Sequence, residues 1–136
     1  AGQLLDEAAK HGQTFIVTNA EAGWVEHSAA SFMPEILPAL QRTRVISARS
    51  RYEFDYPGQA GAWKERAFLD LRRQLEAETV GNLISIGDSV FEMDAVAVMG
   101  QEFAESCVKT VRFRQQPMPR QLLQELNMVL GKMGQI

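Results

Sequence analysis

Asn82-Leu-Ile-Ser-Ile-Gly-Asp-Ser-Val-Phe-Glu-Met-Asp94 is the stretch that decides the fold. Leu83, Ile84 and Ile86 form a short apolar run of the kind that becomes a buried strand. Gly87 permits a tight turn after it. Asp88 then stands at the carboxyl end of a strand, where open α/β sheets bind their ligands. Ser89 and Glu92 have the spacing of a helix capping box, so a helix is expected from about Val90 to Gly100. Asp88 and Glu92 are four residues apart and can face one small volume. Two carboxylates there are hard oxygen ligands suited to Mg2+. The plainer alternative is that Glu92 only caps its helix and Asp88 only ends its strand.

Working outward, the same alternation recurs along the chain. Leu4, Leu5, Ala8 and Ala9 predict a helix over residues 3–11, with Gly12 as its stop. Thr14-Phe-Ile-Val-Thr18 is β-branched and aromatic and predicts a strand. Asn19 is placed to cap a following helix over residues 20–32, with Trp24 on its apolar side. Pro34 and Pro38 interrupt what comes next. Arg44-Val-Ile-Ser47 predicts a second strand. Residues 48–61 read as irregular, with Arg49, Arg51, Tyr52 and Tyr56 in a solvated polar loop. Trp63, Ala67, Phe68, Leu71 and Leu75 mark the buried stripe of a helix. Lys109-Thr-Val-Arg-Phe113 alternates as a last strand. Pro119 opens a final helix with Leu122, Leu126, Val129, Leu130 and Met133 inward.

The order α-β-α-β-α-β-α-β-α predicts an α/β fold, a three-layer Rossmann-like sandwich around a mainly parallel sheet. The chain of 136 residues is one domain's worth. Its 46% hydrophobic and 23% charged residues suit a globular domain. A formal net charge of −3 gives no electrostatic case for nucleic acid or an anionic membrane as partner. Cys107 is the single cysteine, so no internal disulfide and no cysteine metal cluster is possible. No run is apolar and long enough to span a bilayer. The start, Ala1-Gly-Gln-Leu-Leu-Asp-Glu, has no signal-peptide character. An intracellular location follows as the expectation, with cytoplasm or organelle open. The absence of an initiator Met, with helix-like sequence beginning at once, points to a preceding segment.

Thr18, Asn19, Ser47, Asp88, Ser89 and Arg114 are expected at the carboxyl edge of the sheet. Lys64, near the start of its helix, can reach that edge from the side. His11 and His27 read as surface residues.

With these residues in place, the chain resembles the haloacid dehalogenase-like superfamily, most of whose members are phosphatases. Phe15-Ile-Val-Thr18-Asn19 is similar to its second motif, Lys64 within Ala62-Trp-Lys-Glu-Arg-Ala-Phe68 to its third, and Ile86-Gly-Asp88-Ser89-Val-Phe-Glu92 to its fourth. The resemblance covers essentially the whole chain, in the family's order and spacing. It implies that Thr18 hydrogen-bonds a phosphoryl oxygen, helped by Asn19 and by amides at the start of the following helix. It implies that Lys64 neutralises charge on the phosphoryl group and the nucleophile. Asp88 and Glu92 are implied as Mg2+ ligands, Glu92 directly or through water. Many relatives have Asp where Glu92 stands.

The family's first motif, an apolar strand ending Asp-x-Asp, has no counterpart. Its first Asp is the nucleophile and its second the general acid and base. Asp6 falls in the first helix and Asp55 in the irregular stretch. The resemblance places the absent strand between those ending at Thr18 and Asp88. Residues 1–136 are therefore expected to be a single core domain lacking that strand and any cap inserted after it. A preceding segment, a separate chain or a swapped copy would complete the sheet. The expected function of the intact protein is Mg2+-dependent hydrolysis of a small phosphomonoester through an aspartyl phosphate, with this chain inactive alone. The alternative is a catalytically silent relative serving as subunit or scaffold. A phospho-acceptor receiver domain is a third reading, disfavoured because Lys64 precedes Asp88 in the chain.

Overall fold

The computed structural model describes residues 1–75, 80–103 and 105–136. Helix α1 (Gly2–His11) leads to strand β1 (Phe15–Thr18) and helix α2 (Trp24–Phe32). A single 3-10 turn, Pro34–Ile36, joins α2 to a short helix α3 (Leu37–Gln41). Strand β2 (Arg44–Ser47) runs directly into helix α4 (Ala48–Tyr52). Then follow α5 (Ala60–Gln74), β3 (Asn82–Gly87), α6 (Val90–Gln101), β4 (Cys107–Arg112) and α7 (Pro119–Lys132).

The chain is mixed α/β, and every strand pairing among the described residues is parallel. Among the described residues the strands form two two-stranded sheets, β1 with β2 and β3 with β4, and no single mainly parallel sheet. The physical difference is that β1 and β3 do not exchange backbone hydrogen bonds. Phe15 stands opposite Arg44 and Thr18 opposite Ser47. Asn82 stands opposite Cys107 and Gly87 opposite Arg112.

One helix holds both pairs together. Trp63, Ala67 and Leu71 of α5 are buried in a core with Ile46 of β2, Ala48 of α4 and Met99 of α6. Phe15 and Val17 of β1, Leu83 of β3 and Phe68 of α5 pack against that same core. Alternation along β1 sends Ile16 the other way. There it joins Ala29, Ile36 and Leu40, with Leu5, Val25 and Val45. The β1–β2 pair is thus covered on both faces, as a parallel pair requires.

Several expectations are corrected. Helix α2 starts at Trp24, after a turn, because Asn19 does not cap it. Its N-cap is Gly23 at φ 84°, a left-handed conformation open to glycine. Trp24 is 55% exposed and does not face the core. The stretch read as irregular contains α4, whose first turn is capped by the Ser47 side chain accepting from the Ser50 N–H. Tyr52 and Tyr56 pack against the core and are not a solvated loop. Strand β4 begins two residues earlier than its alternation predicts. In α7, Val129 is buried while Leu122 faces solvent. No helix among the described residues is long and apolar enough to cross a membrane.

Candidate functional site

Strand β1 ends at Thr18, and the loop after it is tied down from three directions. The Thr18 hydroxyl oxygen accepts from the Ala20 N–H at 3.1 Å. Ser47 Oγ, on the paired end of β2, donates to the Ala20 carbonyl at 2.6 Å. The Ala22 N–H donates to Ser50 Oγ at 2.9 Å. Asn19 Nδ2 donates to the Ala60 carbonyl at 3.2 Å, binding the end of β1 to the first turn of α5. The Thr18 hydroxyl keeps its own proton free to donate. Asn19 Oδ1 is buried without a hydrogen-bond partner among the described residues. Ser50 was not singled out by sequence reasoning, and Ser47 was placed at the sheet edge without its bonds to Ser50 and Ala20. A Ser at a strand end two residues before a basic run carries a capping signal, and nothing local marks its bond to Ala20.

The loop also changes one implied role. Amides of a helix following β1 do not reach the Thr18 edge, because α2 begins six residues later. Two of the nearby loop amides, those of Ala20 and Ala22, are already engaged by side-chain oxygens.

Strand β3 ends at Gly87 and hands the chain to Asp88. Gly87 is needed for space and not for a turn: its φ is not in the left-handed region. A Cβ there would meet Glu92 Cγ at 2.7 Å and Cδ at 3.1 Å. Glu92 therefore lies folded over the end of the strand. Its Oε2 accepts the Ser89 N–H at 3.0 Å and also the Ser89 hydroxyl, completing the expected capping box. Its Oε1 forms an ion pair with Lys64 Nζ. Both residues are only 8% exposed.

Lys64 sits in the second turn of α5 and reaches the end of β3, where Glu92 holds its ammonium. Burial pushes the ammonium below the usual lysine value, and the Asp88 carboxylate opposes that shift. Asp88 is exposed and makes no hydrogen bond or ion pair among the described residues.

The structure thus brings Lys64, Asp88 and Glu92 together and links Thr18 and Asn19 to them through the first two turns of α5. Asp6 is exposed on α1 in an ion pair with Arg42 at 2.6 Å, and Asp55 is exposed in the loop after α4. His11 and His27 are exposed. Arg49 pairs with Glu53 at 2.8 Å, and the Arg114 N–H donates to Glu125 at 3.2 Å.

No group of three or more His, Cys, Asp or Glu side chains gathers to hold a metal ion among the described residues. One open carboxylate, Asp88, fits a Mg2+ ion that keeps most of its waters and takes further oxygens from a phosphate. Glu92 fits less well, with both of its oxygens already engaged.

No family model matches this sequence, and no curated protein or solved structure matches it.

Proposed function

We propose that this chain carries the phosphate grip, cationic stabiliser and metal ligand of a Mg2+-dependent phosphohydrolase with a haloacid dehalogenase-like core. The observation that supports it best is the route through α5: Asn19 is bonded to Ala60, and Lys64 to Glu92 beside Asp88. A threonine hydroxyl, a lysine ammonium and an open carboxylate are thereby linked to one short piece of helix. That set suits a phosphoryl group and its counter-cation.

In this reading the Thr18 hydroxyl donates to a phosphoryl oxygen. Lys64 offsets the charge that spreads over the phosphoryl oxygens during transfer. Asp88 is the ligand this chain offers to Mg2+, which when bound polarises the phosphoryl oxygens. The nucleophile belongs to a further parallel strand bonded to the free edges of β1 and β3. Among the described residues β1 pairs with β2 alone and β3 with β4 alone, so each strand has an edge without a strand partner, a favourable place for one. Its aspartate carboxylate takes the phosphoryl group, the alcohol leaves, and water then releases phosphate from the acyl phosphate.

A second reading is a catalytically silent subunit built on the same core. It is favoured by one observation, the engagement of both Glu92 oxygens inside the protein. The two readings part in one experiment. The polypeptide completed by that strand is assayed for hydrolysis of p-nitrophenyl phosphate with Mg2+ and with EDTA. The enzyme reading expects Mg2+-dependent turnover that Asp88→Ala abolishes. No turnover in the completed protein favours the silent subunit.

A further inference from the structure

We propose that Glu92 is the positioning residue for Lys64 and is not a Mg2+ ligand. This rests on the phosphohydrolase reading of the site, and it reassigns one of the two acids that the sequence offers to the metal.

The geometry divides the two carboxylates sharply. Asp88 is exposed and unpaired among the described residues, while Glu92 is buried. One oxygen of Glu92 caps α6 through the Ser89 N–H and hydroxyl, and the other holds the Lys64 ammonium. The side chain is also packed closely on Gly87, where an added Cβ would stand 2.7 Å from Glu92 Cγ. To reach a metal, Glu92 would have to give up either the cap or the lysine. Giving up the lysine would leave a buried ammonium beside an incoming divalent cation, a doubly unfavourable arrangement.

Lys64 needs such a partner. A lysine ammonium is a point charge on a flexible four-carbon stem, with no geometry of its own to fix it. Placed on α5, it is brought to rest by a carboxylate from α6. Glu reaches across that gap from the capping position. A shorter Asp at residue 92 would keep the cap and lose the reach. The longer acid in the fourth motif is thereby explained by what it holds.

The test is made on the full-length protein with Mg2+ alone, so it does not depend on turnover. The first readout is the 15N ammonium signal of Lys64, assigned by its loss in Lys64→Met. Glu92→Gln keeps the cap, because its amide oxygen still accepts the Ser89 N–H, and is expected to shift or broaden the Lys64 signal. The second readout is calorimetric Mg2+ affinity in Lys64→Met/Glu92→Gln, which removes both partners with no change in net charge. That double variant is expected to bind Mg2+ within about threefold of wild type, whereas Asp88→Asn, which removes the one open carboxylate, is expected to lose Mg2+ far more severely.

An unmoved Lys64 signal in Glu92→Gln overturns the proposal. So does a double variant that loses Mg2+ as fully as Asp88→Asn. If the wild type takes up no Mg2+ at all, the phosphohydrolase reading falls, and the ammonium signal alone decides whether Glu92 holds Lys64.

Discussion

Gly87 lies so close beneath Glu92 that a methyl group on it would stand 2.7 Å from Glu92 Cγ. The contact joins the end of β3 to the first turn of α6, and through Glu92 it reaches Lys64. Gly87→Ala is therefore expected to push Glu92 off its cap and its ion pair together. The expected cost is about 1–3 kcal/mol, the usual penalty of overpacking a filled site. Calorimetric melting checks it, and an unchanged melting temperature contradicts the contact.

The Lys64–Glu92 pair predicts a pattern and not only a loss. Removing one partner leaves a buried charge alone, so Lys64→Met and Glu92→Gln should each destabilise by about 3–5 kcal/mol. Removing both should cost much less than the sum. Urea denaturation of the two single variants and the double variant measures the coupling. Additive losses would mean that the two side chains do not interact.

Tyr52 predicts an alkaline signature. Burial pushes its phenol up from 10.0 to about 12, and a hydrogen bond donated to the Asp70 carboxylate adds to the shift. The folded state thus holds a proton that the unfolded chain gives up first. The resulting stability is fully present below pH 10.0 and is lost as pH rises toward about 12. Tyr52→Phe should flatten stability against pH in that window. A slope identical to wild type contradicts the assignment.

Ser47 predicts a link between a helix cap and the site loop. Its oxygen accepts from Ser50 N–H at 3.0 Å, while its hydroxyl donates to the Ala20 carbonyl. Ser47→Ala is expected to cost about 1 kcal/mol from the cap. Faster amide exchange should follow around Ala20 as well as in α4. Exchange that rises in α4 alone would show that the serine does not hold the loop.

What the sequence made legible follows from how local each cause is. Strands β2 and β3 were readable to the residue, because short β-branched runs bounded by polar or glycine residues need no distant partner. The stripe of Trp63, Ala67 and Leu71 was readable from helical spacing, and so was the capping box of Ser89 and Glu92. Asn19 was misread as a cap because its amide bonds to Ala60, 41 residues away. Helix α4 was missed because it is one short turn-and-a-half held by a single serine cap and by packing on α5. The site residues were each nameable from motif-like spacing. Their pairing was not, since the contact of Lys64 with Glu92 depends on how α5 packs against α6. The division into two parallel pairs was not legible, because which strands exchange hydrogen bonds is decided by packing between distant elements and not by a local signal.

The most direct test of the central claim is the Mg2+ dependence of phosphomonoester hydrolysis by the protein carrying the proposed further strand, measured beside its Asp88→Ala variant. The account predicts turnover that EDTA removes and Mg2+ restores, and none above background in Asp88→Ala. Full turnover in Asp88→Ala, or turnover indifferent to Mg2+, would contradict it.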